Sequence, residues 1–312
     1  TPYTIFTPFF RNACKYSVDQ VQSLKAPKYY TRRLGKSLRY ILEKVLDGRV
    51  LQYVERGGRQ KAIAILKSLK NYEHYDQQRN IPSQQGTTLL SAHNKFGTCS
   101  IREVYYTVKK VLGADHSLLR ELYWRDFFTH IGYHFPHVFG QAFRQKYDAI
   151  KWANKRGWFS RWCNGKTGFP IVDAGMRELN ETGYMHNRVR MITASFLVKD
   201  LQIDWRWGER YFAQNLVDYD PCVNNGNWQW AASTGCDAQP YFRIFNPWLQ
   251  QKKFDSECKY IYRWIPELRN FTPVQIHQWY KNPQTDKYPA PIVEHSTQSA
   301  KTKALFKAAL GT

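Results

Sequence analysis

Apolar residues recur every three or four positions through most of this chain, and alternation at period two is nearly absent. That single pattern excludes sheet architectures and requires helices that bury one stripe each. The spacing predicts helices over 101–112, 117–135, 173–181, 186–201 and 209–216, with Gly183 closing the third at a C′ position. Upstream, 37–46 reads as an amphipathic helix ending near Gly48, Gly57-Gly58 breaks the chain, and 59–70 reads as another helix. The polar stretch 75–88, with Pro82 and Gly86, reads as an ordered loop. No 20–50-residue period repeats. The expected class is mainly α, with no Rossmann-like α/β domain. The segment 283–312 carries Pro283, Pro289 and Pro291 and ends in a short basic helix, and it is expected to be peripheral.

The 312 residues suffice for one large domain. Lys and Arg number 46 against 25 Asp and Glu, a net charge of +21 that self-repels unless a polyanion lies nearby. Nucleic acid is the first candidate partner and an anionic membrane surface the second. No apolar run of about 18 residues exists, so no membrane span is expected. The start, Thr1-Pro2-Tyr3-Thr4, has neither a signal-peptide pattern nor a Met, which fits removal of the original start. The six cysteines form no C-x-x-C pair, and buried free thiols in a reducing, intracellular setting (cytoplasm, nucleoid or nucleus) are expected. The 11 Trp, 21 Tyr and 18 Phe suit a core, a flat cofactor or stacked bases alike.

Four constellations could carry chemistry. Glu121, Trp124, Arg125 and Phe128 share one helix face, which serves either as a site or as an amphipathic helix with a Glu121–Arg125 pair. Asn187, Arg190, Met191 and Ala194 share another face. Arginines at a helix N-terminus oppose its dipole, which points to anionic partners. Asp220 before Pro221 reads as an N-cap, whereas Asp218 has no such explanation. Trp228 and Trp230, after the polar run Asn224 to Asn227, are hard to bury together on one helix face, and they serve either a site or plain packing. Other patterns fail. Asn164-Gly165-Lys166-Thr167 lacks the first glycine of a P-loop. His130, His134 and His137 lack the glutamate of a zincin and read as interfacial, so no metal centre is expected. No G-x-S-x-G elbow occurs.

Taken together, these segments resemble the photolyase/cryptochrome family. The match is close over 167–249, from TGFPIVDAGMRELNETGYMHNRVRMITASFLVKD through NNGNWQWAASTGCDAQPYFRIFNPW. It extends upstream through ELYWRDFF at 121–128, GTTLLSAH at 86–93 and YDQQR at 75–79. The resemblance implies an all-helical FAD-binding catalytic domain over 59–282, preceded by a connector and helical extension at 1–58 and followed by a C-terminal tail. It implies that Tyr75, Thr87, Thr88, Leu89, Leu90 and Ser91 hold the FAD phosphates, Leu89 standing where many bacterial members carry Arg. Arg190 and Asp218 would pair beside the isoalloxazine, with Asp220 lining it and Asn224 facing N5.

The same resemblance implies a carbon–carbon lyase that splits cyclobutane pyrimidine dimers in double-stranded DNA with light. Its substrate must leave the duplex to reach a buried flavin. Trp124, Trp230 and Met191 would form the wall for the flipped dimer, Glu121 would bond the thymine edge, and Asn187 would contact dimer and flavin. Asn187, where (6-4) enzymes carry a histidine pair, favours the class I cyclobutane type over a (6-4) enzyme or a cryptochrome-like light sensor. Trp228, Trp205 and Trp152 would form the electron chain for photoreduction. Arg79, Arg125, Arg188 and Gln250 would meet DNA. The family's N-terminal antenna domain is not expected in this chain, so a folate or deazaflavin antenna pigment is not expected here, and a separate antenna polypeptide is a candidate partner.

Overall fold

The computed structural model describes residues 1–22 and 57–311, and the helix expected at 37–46 lies outside them. All regular elements among the described residues are helices. They are α1 (Phe6–Ala13), α2 (Arg59–Lys67), α3 (Tyr75–Gln78), α4 (Leu90–Phe96), α5 (Ile101–Leu112), α6 (Ser117–His134), α7 (Arg156–Cys163) and α8 (Pro170–Thr182). There follow α9 (Asn187–Ser195), α10 (Trp205–Asn215), α11 (Pro221–Ala232), α12 (Pro247–Phe254), α13 (Lys259–Trp264), α14 (Pro273–His277) and α15 (His295–Leu310).

Local chemistry sets the boundaries. The Ser100 hydroxyl accepts from Arg102 N and starts α5, and Asp220 accepts from Cys222 N and Val223 N to start α11 with Pro221 at its first position. Gly183 closes α8 at φ 69°. The α10 helix begins four residues before the expected Glu209, because Asp204 caps it by accepting from Arg206 N. Gly208, a helix weakener by propensity, masks that start. Its lack of a side chain is used: a Cβ there would come within 2.1 Å of the Trp228 ring, so Gly208 lets α10 press against α11. The expected helix over 186–201 is α9 followed by a π turn at Phe196–Asp200.

The main core surrounds α8 to α11 and contains Trp162, Phe169, Trp205, Trp228, Tyr260, Trp279 and Tyr288. A second cluster joins α2, α4 and α5, and a third joins α1 to α6. The expectation of a peripheral tail is overturned. Tyr288 is buried and bonds Asp173. The α15 helix buries Gln298, Thr302 and Phe306, and Thr302 Oγ1 donates to Lys199 O at 2.6 Å. His295 contacts the buried Asp200 carboxylate at 2.5 Å. The cysteine reading is corrected in part: all six are free, yet only Cys99, Cys236 and Cys258 are buried, and Cys14 is exposed.

Candidate functional site

One cavity of about 480 Å³ opens between α6, α9, α11 and the segment 75–95. The α6 stripe supplies Glu121, Trp124, Arg125 and Phe128 to its wall. Glu121 does not pair with Arg125. It takes Arg79, which follows the one-turn helix α3, while Arg125 bonds Asp126 at 3.2 Å. Trp124 has one face closed by Phe6 of α1, stacked at 3.6 Å and 5°. That contact holds the indole in a fixed plane at the wall.

Opposite lies a loop rich in hydroxyls and backbone amides, where Thr87, Thr88, Leu89, Leu90 and Ser91 line the cavity with Tyr75. Leu89 sits at φ 56°, a left-handed conformation that costs a leucine of the order of 1 kcal/mol. Such strain gathers at ligand-holding loops. The Thr88 hydroxyl accepts from Leu90 N at 3.3 Å and stiffens the turn.

The start of α9 supplies Asn187, Arg188, Arg190 and Met191. Arg190 Nη2 donates to Asp218 Oδ2 at 2.9 Å and its Nε donates to Met185 O at 2.7 Å. Burial opposes the guanidinium charge, but the Asp218 carboxylate together with Tyr184 and Glu178 holds Arg190 above its ordinary value. Asp218 Oδ1 is buried without a partner. A buried carboxylate oxygen in that state calls for a donor from a ligand. Asp220 combines two roles, capping α11 and pairing with Lys95 Nζ at 3.3 Å. Arg188 donates to Asn80 Oδ1 from Nε and Nη2, at 3.2 and 2.6 Å, and its guanidinium lies 4.4 Å over the Phe254 ring.

His186 fixes this helix start. Its Nδ1 accepts from Arg188 N, and it is buried. Burial, then Arg190 and Arg188, push its pKa down from 6.5 to about 4. The folded state therefore holds the neutral ring, and the stability this ring contributes is present above pH 6.5 and lost as pH falls toward 4. We expect His186→Asn, which keeps a capping side chain, to flatten the acid limb of the urea stability curve by about 3 kcal/mol between those pH values. An unchanged limb would refute the assignment.

Five sequence candidates lie off the cavity lining. Asn224 is buried on α11 off the cavity lining, and its Nδ2 donates to Glu209 O at 3.0 Å. Asn227, one turn on, reaches the cavity instead. Gln250 lies on α12 beside the exposed Leu249, off the cavity wall. Trp228 and Trp205 are buried behind the wall, and Trp152 is half-buried with its ring 5.9 Å from Phe306. Trp230 does line the cavity. Asn80, Lys95, Tyr184 and Asn227 were not anticipated. Lys95 stands four residues after Ser91 on α4, so helical spacing alone places it on the same face. His130 and His134 meet edge to face at 4.4 Å, and among the described residues no group of three or more His, Cys, Asp or Glu could hold a metal.

The family described as the FAD binding domain of DNA photolyase matches residues 118–308. A deoxyribodipyrimidine photo-lyase of Alkalihalophilus pseudofirmus is 40% identical, over 98% of this chain and 68% of its own length. One from Vibrio cholerae is 46% identical over 77% of this chain. The match spans about half, 53%, of that relative's length. An archaeal photolyase from Sulfolobus tokodaii, solved with two FAD molecules, superposes with a TM-score of 0.88 at 43% identity, over 99% of this chain and 68% of that one.

Proposed function

The chain belongs to the photolyase family through its FAD-binding domain, and from that premise we propose that it binds FAD and repairs cyclobutane pyrimidine dimers in DNA by light. The observation that carries this reading is the shared cavity. A phosphate-suited loop and a buried Arg190–Asp218 pair face the same space as Glu121, Trp124, Asn187, Met191 and Trp230. The donor set fits a flavin: Asp218 Oδ1 lacks a donor, as an imide-type N–H would supply. Hydroxyls at Thr87, Thr88 and Ser91 suit a pyrophosphate, with Lys95 adding positive charge at the rim.

When bound and reduced, FAD supplies the photoexcited electron that opens a cyclobutane ring. The protein positions and encloses. Trp124 and Trp230 offer flat apolar walls against which a flipped pyrimidine dimer packs. Glu121, held by Arg79, presents carboxylate oxygens that accept from a thymine N3–H. Asn187 offers both a donor and an acceptor between the two ligands. Arg79, Arg125 and Arg188 line the cavity, and their guanidinium groups suit phosphates that flank the lesion. The charge of +21 supplies salt-sensitive attraction to duplex DNA.

The test is repair of an oligonucleotide containing one thymine dimer, under blue light, by chemically reduced protein. The expected result is light-dependent recovery of thymine absorbance, reduced at least about tenfold in Glu121→Ala if the hydrogen bond contributes about 1.4 kcal/mol or more. Bound flavin without repair would reject the lyase reading and favour a light-sensing role.

A further inference from the structure

Two tryptophans wall the cavity, and Phe6, outside it, touches the supports of both. Phe6 is the residue that α1 buries, and it lines no part of the cavity. Its ring lies parallel to the Trp124 indole at 3.6 Å and 5°. Phe127 meets both rings edge-on, 5.8 Å from Phe6 and 5.7 Å from Trp124. The Arg120 guanidinium stands 5.4 Å over the Phe6 ring. The phenyl group is thus held in place and offers Trp124 one flat bed. The backbone of the same residue reaches toward the other wall. Ile5 has no side-chain group to cap α1, and Phe6 N donates instead to Asp237 Oδ2 at 3.1 Å. A carboxylate at a helix N-terminus is also favoured by the helix dipole. Asp237 lies in the loop that follows α11, the helix that carries Trp230. It sits at φ 46°, a left-handed conformation that Asp tolerates better than most side chains. Its neighbour Cys236 is buried in the same cluster as Phe6 and Trp124, so that loop is packed against the Trp124 support.

We propose that Phe6 is a positioning residue for the lesion. Its ring sets the plane of Trp124, and its amide, through Asp237, ties that plane to the segment that carries Trp230. This rests on the reading that the cavity takes a flipped pyrimidine dimer against these two indoles. Two pyrimidines fused through a cyclobutane ring are rigid, so the walls must match the dimer rather than the reverse. An indole free to turn about its side-chain torsions loses that freedom on binding, and the loss subtracts from affinity. Phe6 removes the freedom beforehand. Only a dimer-containing strand gains from this. Undamaged DNA keeps its bases in the stack and meets the protein through its phosphates. The α1 segment, read from sequence as part of a connector, therefore belongs to the lesion wall.

The test measures binding of flavin-loaded protein, in the dark, to one labelled oligonucleotide with and without a thymine dimer. Phe6→Leu keeps an apolar side chain in the core and removes the flat ring. We expect flavin content and affinity for the undamaged strand to stay unchanged, and affinity for the dimer-containing strand to fall about threefold to tenfold, the weight of one aromatic pair. Asp237→Ala, which removes the anchor on Phe6 N, should lower the dimer preference in the same direction. Asp237→Asn, which keeps an acceptor oxygen, should restore it. Val138→Ala is the control: Val138 is buried in the same cluster, and its truncation loosens that core without touching the ring on Trp124. Its melting temperature should drop while its dimer preference stays intact. An unchanged preference in Phe6→Leu, or an equal loss in Val138→Ala, overturns the positioning role. If Phe6→Leu does not fold, the Asp237 pair decides, and a preference left unchanged by Asp237→Ala overturns it. Unmodified protein that holds flavin and shows no preference for the dimer overturns the underlying reading itself.

Discussion

Asp218→Ala is expected to yield protein without bound flavin, destabilised by about 3 kcal/mol. The side chain of Asp218 is only 5% exposed and that of Arg190 is 23% exposed. Removing the carboxylate leaves the guanidinium without its partner. It cannot turn away to water, because its Nε is anchored on Met185 O and its plane lies near the Tyr184 ring at 5.1 Å. Breaking a buried pair from one side costs about 3–5 kcal/mol, and the partial exposure of Arg190 puts this case at the low end. Flavin retention falls further, because the unpartnered Asp218 oxygen that suits a ligand N–H disappears with the side chain. Urea midpoints and the ratio of flavin to protein absorbance after purification measure the two effects. Asp218→Asn, which keeps the shape and one acceptor, should lie between. An Asp218→Ala protein that stays yellow and keeps its midpoint would show that the pair does not organise the cavity.

Asp173→Ala should be worse for the fold while touching no part of the cavity. Asp173 is fully buried and accepts from Thr167 N at 2.8 Å, Thr167 Oγ1 at 2.6 Å, Gly168 N at 2.9 Å and the Tyr288 hydroxyl. Each buried donor left without a partner costs about 1–3 kcal/mol. The two backbone groups and the phenol together cost on the order of 4–5 kcal/mol, a large share of the 5–15 kcal/mol typical of a whole domain. The substitution also frees Tyr288 and with it the segment that leads into α15. Expression should fall, and the melting temperature of what remains should drop by more than that of any cavity variant. A shift below about 0.5 kcal/mol, the level of an ordinary surface change, would contradict this.

The helices were legible where caps and periodicity agree. The apolar spacing places α5 at its observed ends, Ile101 and Leu112. The start of α10 was hidden because Gly208 obeys a tertiary demand, the ring of Trp228, rather than a local one. The end of the chain was misread for a similar reason. Its prolines and lysines describe a surface, while the contacts that bury Phe306 and Thr302 come from Lys199, about a hundred residues earlier. Much of the cavity was readable as helix faces: Glu121, Trp124 and Phe128 share one stripe, and Arg190 and Met191 another. What joins those faces was not readable. Arg79 finds Glu121 across 42 residues, and Lys95 finds Asp220 across 125. No local spacing encodes either pair. Asn224 was named from its motif position alone, and its Nδ2 is bonded to the Glu209 backbone, a contact that no local spacing encodes.

The central claim is that flavin and flipped dimer meet in this one cavity. The direct measurement is the absorption spectrum of the bound flavin during titration with an oligonucleotide, in the dark, with and without a thymine dimer. The account predicts a saturable band shift with the dimer-containing strand and none with the undamaged strand, the shift being lost in a Trp124→Ala, Trp230→Ala variant. Equal spectra with both strands, under conditions where both bind, would contradict it.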